Sequence, residues 1–315
     1  MDRLEIAASL DARTRVDVEA LFAVVEEADD HPAVDEHRWH AMVGGGGRAR
    51  AAVLAWEQAH DHPVAYAQVS RGPGPWALDL VVDPHRRAET RSIAAAVLEA
   101  ALDVVGQEGG GEVHLWVHQP TEEHDAMARR AGLESARDLL QMRRTLPAEP
   151  PGAIALRPFR VGRDEAAWVE VNNRAFHWHP EQGGWTVGTI TEREGEPWFD
   201  PEGFLLHERD GRLAGFCWTK VHASHRPPLG EIYVIAVDPG FHGLGLGRDL
   251  VLAGLDHLAG KGLRVGMLYV DAGNASAVAL YRKLGFTVEQ TDRAYVGQVP
   301  ATGQDTPTPT RLPMP

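Results

Sequence analysis

Residues 235–258 read IAVDPGFHGLGLGRDLVLAGLDHL. An apolar run ends at Asp238-Pro239, glycines follow at 243, 245 and 247, and a helical pattern begins at once. A backbone this bare at a strand-to-helix junction suits an anion held by main-chain N–H groups at the positive end of a helix. Two phosphate-binding signatures do not fit. A P-loop requires Lys-Ser/Thr after its last glycine, and Arg248-Asp249 stand there. A dinucleotide fingerprint, Gly-x-Gly-x-x-Gly, opens a first βαβ unit, whereas GLGLGR is spaced differently and follows antiparallel strands. A glycine-rich helix cap without a ligand is the bland alternative.

The stretch lies in the second of two similar halves. LDLVVDPHRRAETRSIAAAVLEAAL in the first half also runs strand, Asp-Pro, turn, helix. Placing Asp83 on Asp238 offsets the halves by 155 positions (238 less 83), and Gly132 on Gly285 by 153 (285 less 132). A repeat of that length is a duplicated domain, since solenoid periods are about 20–50 residues. The proline-rich LPAEPPG near the midpoint reads as an extended linker. We therefore expect one domain over residues 1–146, a linker over 147–152, a second domain over 153–298, and an unpacked tail over 299–315. In the second domain, strands are expected near 153–158, 203–209, 212–222, 229–237, 264–270 and 286–296. Helices are expected near 162–176, 186–194, 246–260 and 274–284, and RDGR at 209–212 closes a hairpin. Antiparallel strands followed by alternating helix and strand define an α/β class with a mixed sheet.

Composition narrows the function. The 315 residues are 43% hydrophobic and 24% charged, the range of a soluble globular protein. No apolar run approaches the ~20 residues of a membrane span, and the N-terminus has no signal-peptide pattern. A net charge of −14 disfavours nucleic acid as a partner and is compatible with a cationic small substrate. A single cysteine, Cys217, excludes internal disulfides and fits the cytoplasm. A monomer is expected.

His242-x-x-Gly245-x-Gly247, after a strand ending in Val-Asp-Pro, resembles the Gln/Arg-x-x-Gly-x-Gly/Ala loop of the GNAT acetyltransferases. GNASAVALYRKLGF (273–286) resembles the same family's Asn-x-x-Ala-x-x-x-Tyr-x-x-x-Gly-Phe segment. The resemblance implies two tandem GNAT domains and acetyl-CoA as co-substrate. It places the cofactor on Ile235, Ala236, Val237, His242, Gly243, Leu244, Gly245, Leu246, Gly247 and Arg248, and on Asn274, Ala275, Ser276, Ala277, Val278 and Ala279. It makes Tyr281 the general acid for the departing thiolate; a phenol suits that task. Glu231, before IYVIAV, is the natural base for an ammonium acceptor, acting directly or through water. Main-chain N–H groups near 235–237 would polarise the thioester carbonyl.

The matched positions of the first half carry Trp76 for Glu231 and Ala128 for Tyr281. Its loop, Arg87-x-x-Thr90-x-Ser92, lacks both glycines, and Leu80, Val81 and Val82 match the strand end. This half is expected to be a GNAT fold without chemistry, either binding CoA or serving as packing.

NNRAFHWHPEQGGWT (172–186), EPWFDPEGFLL (196–206) and GFCWTKVH (215–222) resemble the mycothiol synthase family, tandem GNAT enzymes of actinobacteria. The resemblance implies acetylation of the cysteinyl amine of cysteinyl-glucosaminyl-inositol, with acceptor residues Glu36, Glu181, Lys220, Glu231 and Tyr269. Carboxylates suit an ammonium and a lysine suits hydroxyls. Trp178 and Trp185 could stack on sugars or pack in the core. A GNAT enzyme acting on another amine, such as a protein N-terminus, is the alternative; it would need an open groove, against which HPEQGGWT argues. A CoA-sensing module would need neither Glu231 nor Tyr281. His177, His179, His222 and His225 lack metal-site spacing, so no metal is expected.

Overall fold

Elements follow in the order β1 (Arg3–Ala7), α1 (Ala12–Asp29), α2 (Glu36–Val43), β2 (Ala49–Trp56), β3 (Ala65–Arg71), β4 (Trp76–Val82), α3 (Thr90–Gln107), β5 (Gly111–His118), α4 (Glu122–Arg130) and β6 (Glu134–Thr145). They continue with β7 (Arg157–Pro158), α5 (Glu165–Ala175), α6 (Val187–Glu194), β8 (Phe204–Arg209), β9 (Arg212–His222), β10 (Leu229–Val237), α7 (Leu246–Gly260), β11 (Val265–Asp271), α8 (Ala275–Lys283) and β12 (Thr287–Val299). This computed structural model describes residues 3–29, 32–34, 36–44, 49–57, 62–71, 74–177, 182–223 and 225–302.

The chain forms two units, one of residues 1–138 with 291–315 and one of residues 139–290. In the first, strands run in the order β1-β2-β3-β4-β5-β12, and in the second β6-β11-β10-β9-β8-β7. Each is a mixed sheet, as expected, with helices on its faces. The boundaries differ from the expected ones. Residues 139–145 of β6 pair along β11, from Leu139 opposite Asp271 to Thr145 opposite Val265. Residues 292–299 of β12 pair along β5, from Asp292 opposite His118 to Val299 opposite Gly111. The last strand of each repeat thus serves the other unit. The expected tail begins later too, because β12 reaches Val299 and the Thr302 N–H donates to the Gly106 carbonyl. Residues 303–315 lie outside the described residues.

A consequence is testable. A chain starting at Pro151 keeps α5 to α8 but lacks β6, whose Met142 is fully buried in the same cluster as Leu268 and Val270. We expect a 151–298 fragment to be insoluble or to melt well below the intact protein, and a 139–290 fragment to fold. Circular dichroism and thermal melts of the two would decide it.

In the second unit the sheet separates two apolar clusters. Leu250, Val251, Leu255 and Leu258 of α7 pack on one face with Cys217, Ile232 and Leu268. Trp168 and Val171 of α5 and Ile190 of α6 pack on the other with Phe204, Phe216, Trp218 and Val234. Gly254 permits the close approach of α7, since a Cβ there would meet Cys217 Sγ at 2.5 Å and Ile232 Cδ1 at 2.6 Å. Burial pushes the Cys217 thiol up to about 12, so it is inert at neutral pH. The β8–β9 hairpin closes on Asp210 and Gly211 with φ of 53° and 72°, the left-handed pair that an Asp-Gly turn supplies. The expected strand at 153–158 shrinks to Arg157–Pro158, where the proline has no N–H to extend the ladder.

Candidate active site

In the β9–β10 hairpin Glu231 lies opposite Lys220, and the parallel neighbour β11 sets Met267 beside Glu231. Side chains alternate along a strand, so Lys220, Glu231, Met267 and Tyr269 share one face. One extra residue, Tyr233, interrupts the β9–β10 register between Ile232 and Val234. This bulge shifts the alternation of β10. Val234 and Ala236 therefore fall on the Glu231 face with Phe216 and Trp218, while Ile235 and Val237 pack on the α7 side.

Each group on that face has a defined seat. The Lys220 ammonium lies 4.5 Å from the Trp198 ring centroid and 5.4 Å from that of Tyr233, both cation–π contacts. The Glu231 side chain is 8% exposed, and its Oε2 lies 2.7 Å from His222 Nε2. Tyr269, 37% exposed, accepts a 2.9 Å hydrogen bond from the Gln141 amide, whose own carbonyl accepts from Arg143 Nε at 2.7 Å. Sequence reasoning missed Gln141 and considered His222 only as a metal ligand. The alternation of Lys220-x-His222 against Glu231 was the available signal for the latter.

The segment before α6 is tied to α5. The Asn172 amide donates to the Gln182 carbonyl at 2.7 Å, and Asn173 exchanges two hydrogen bonds with the Trp185 main chain. Trp185 stands edge-on to Trp168 with centroids 5.5 Å apart, which favours packing over sugar stacking for that residue. Trp178 and Glu181 lie outside the described residues. Glu36 opens α2 in the first unit, and its side chain is not among those described.

On the α7 side of the sheet lies a loop suited to an anion. The parallel register of β10 and β11 covers only Gly230–Ile232 and Gly266–Leu268, so the last residues of β10 diverge from β11. Asp238 then turns the chain: its buried carboxylate accepts from the Gly240 N–H at 2.9 Å and from the Arg174 guanidinium at 2.6 Å. Against the cost of burial, those donors hold the Asp238 carboxyl below its ordinary range. His242 bonds back to the Val237 carbonyl through Nε2 at 3.0 Å. Gly243 and Gly245 adopt φ of 81° and 78°, and nothing lies within 4 Å of a Cβ built on either. Leu244 is exposed, and Gly245 caps α7 with no side-chain hydrogen bond. The first-turn amides of Leu246 and Gly247 thus begin a helix without a side-chain acceptor, while the Arg248 N–H donates to the Gly245 carbonyl at 3.1 Å. These features fit a pyrophosphate.

Helix α8 packs beside the start of α7, because a Cβ on Gly247 would touch Leu280 at 3.7 Å and Val237 at 4.0 Å. Asn274 caps α8, accepting from the Ala277 N–H at 3.2 Å and from Ser276 Oγ at 3.0 Å. Ala275, Val278 and Ala279 complete its first turns. Tyr281, 7% exposed, meets Phe286 edge-on at 5.9 Å, and burial raises its phenol above the ordinary range. Among the described residues no cluster of three His, Cys, Asp or Glu side chains could hold a metal ion. Nor is any described helix long and apolar enough to cross a membrane.

The first unit repeats the scaffold without these groups. Its β4 and β5 also pair only over Trp76–Leu78 and Val113–Leu115. Trp76 is buried and donates to the Gly110 carbonyl at 3.0 Å, and Ala128 is fully buried. Val81 is buried, with Leu80 and Val82 packed at the edge of a second cluster. Arg87 makes a bidentate pair with Asp29 at 2.7 and 2.6 Å. Thr90 and Ser92 start α3, and their side chains are not among those described. On its corresponding sheet face, Asp79 is bidentate with Arg38 at 2.7 Å, beside buried Gln68, Tyr66 and Ser70.

A mixed sheet with a bulged, diverging central strand and a glycine loop feeding a helix defines an N-acetyltransferase of the GNAT class. The acetyltransferase (GNAT) family profile matches residues 170–286. Among solved structures, a GCN5-related N-acetyltransferase from Sphaerobacter thermophilus shares the fold, with a TM-score of 0.73, 22% identity, and coverage of 95% of this chain and 97% of that one. A tandem GNAT protein from the clavulanic acid biosynthesis pathway does so at 0.68 and 16%, covering 95% and 100%. Mycothiol acetyltransferase of Acidimicrobium ferrooxidans is 41% identical over 92% of this chain and 96% of its own. That of Thermobispora bispora is 43% identical over 89% and 95%. The chain belongs to the mycothiol acetyltransferase family.

Proposed function

We propose that this enzyme transfers the acetyl group of acetyl-CoA to the cysteinyl amine of cysteinyl-glucosaminyl-inositol, completing mycothiol. The strongest support is the gathering of Lys220, Glu231 and Tyr269 on one sheet face, in the unit that also carries the bare loop at Gly243–Gly247. When bound, acetyl-CoA supplies an activated thioester. The loop amides from Gly243 to Arg248 would hold its pyrophosphate, and the main chain of Ile235–Val237 would line its pantetheine arm. Glu231 takes the proton of the acceptor ammonium, directly or through water. Tyr281 donates toward the departing sulfur. Lys220 and Tyr269 offer donors to acceptor hydroxyls, with Glu181 as a further acceptor residue. The first unit performs no chemistry in this reading. It carries neither base nor acid at the matched positions, and Arg87 is already paired with Asp29. Leu80, Val81, Val82, Thr90 and Ser92 there would supply at most a second CoA site.

The test is incubation with acetyl-CoA and a panel of amines including the cysteinyl conjugate and N-terminal peptides. Products should be separated chromatographically, because the acceptor thiol would itself react with thiol reagents. A peptide acetylated faster than the conjugate would overturn the substrate assignment. The loop is tested separately. We expect Gly245→Val and Gly247→Val to raise the acetyl-CoA Kd at least tenfold, about 1.4 kcal/mol. Thr90→Val and Ser92→Val should leave turnover within twofold. Equal damage to turnover from the first-unit changes would overturn the assignment of the chemistry to the second unit.

A further inference from the structure

We infer that His222 is a positioning residue for Glu231, donating from Nε2 to Oε2 so that Oε1 is the oxygen presented to the acceptor amine. The inference rests on Glu231 being the base. Several observations carry it. The 2.7 Å separation is that of a charge-assisted hydrogen bond, and opposite an ionised carboxylate only a protonated Nε2 can bridge it. His222 pairs with Leu229 across the hairpin, and Glu231 with Lys220, so His222 and Glu231 are diagonal neighbours on one face. Glu231 is buried, and a buried carboxylate costs free energy unless a donor meets it. His222 is itself braced by the His225 ring, 5.8 Å away and perpendicular to it.

The chemistry follows from the geometry. A carboxylate free to rotate presents either oxygen in many orientations, and tethering one oxygen removes that freedom. In the transfer step an N–H bond of the acceptor ammonium breaks, its electron pair stays on nitrogen, and the proton forms a bond to Oε1. The His222 proton remains on Nε2 throughout. Preorganisation of this kind acts on the transition state more than on ground-state binding.

A double-mutant cycle tests it in the full-length protein, using acetyl-CoA and the amine that the wild type acetylates fastest. His222→Ala should lower kcat at least tenfold with the KM for acetyl-CoA within twofold. His222→Gln, which keeps an N–H donor near the same place, should restore most of that loss. In a Glu231→Gln background, His222→Ala should cost less than twofold, because a residue acting through Glu231 has nothing left to position. A kcat within twofold of wild type for His222→Ala, a Gln variant as slow as the Ala variant, or multiplicative losses would each overturn the assignment. A wild type that acetylates another amine but not the cysteinyl conjugate would overturn the substrate reading and leave this test intact.

Discussion

Glu231→Gln lowers kcat by about 10²–10⁴ at neutral pH, the usual cost of losing a general base, while acetyl-CoA affinity stays within twofold. The substitution is nearly isosteric, and the amide oxygen can still accept from His222 Nε2, so the packing around this buried side chain is kept. What disappears is the capacity to take a proton. An ammonium acceptor has no lone pair to attack with, and the loss should therefore shrink as the pH rises and the free amine becomes abundant. The checks are a pH profile of kcat for both proteins and calorimetric titration of acetyl-CoA. A variant turning over near the wild-type rate at pH 7 would remove Glu231 from the role. A loss that is constant across the pH range would make it a binding group.

The hairpin that carries Glu231 was legible before the structure because local signals specify it. Near-continuous apolar runs mark β9 and β10, and Asp210-Gly211 closes the hairpin before them. The loop was equally legible, since Gly243 and Gly245 answer a left-handed backbone requirement that other residues meet poorly. Three features were not. The Tyr233 bulge has no sequence mark, because a bulge is set by how two strands register and Tyr suits any strand position. The exchange of β6 and β12 was hidden by the repeat itself. A strand compatible with one sheet is compatible with its duplicate, so nothing in residues 139–145 says which sheet they join. The pairing of His222 with Glu231 needed the register of β9 against β10, which composition alone leaves open.

Tyr281→Phe should cost a similar ~10²–10⁴-fold in kcat, with the fold intact. The phenol sits in the α7-side cluster against Phe286, and phenylalanine preserves that packing. Proton transfer from Tyr281 is less simple than the motif suggests. A tyrosine of ordinary pKa near 10 is a weaker acid than a thiol near 8.5, so handing a proton to a solvated thiolate runs uphill, and burial raises the phenol further. Burial acts on both partners, however. Burial pushes up the Cys217 thiol in the same cluster too. A thiolate leaving away from water is likewise more basic than in water, which offsets part of the uphill step. Because its raised pKa keeps the phenol protonated throughout the working pH range, the donor is always loaded. The expected result is a Tyr281→Phe protein with unchanged thermal midpoint and acetyl-CoA affinity, and a kcat reduced at every pH from 6 to 9, with no recovery at the alkaline end. That last feature separates it from Glu231→Gln, whose deficit high pH relieves. A Tyr281→Phe rate within threefold of wild type would show that the thiolate leaves unprotonated and that the tyrosine serves packing alone.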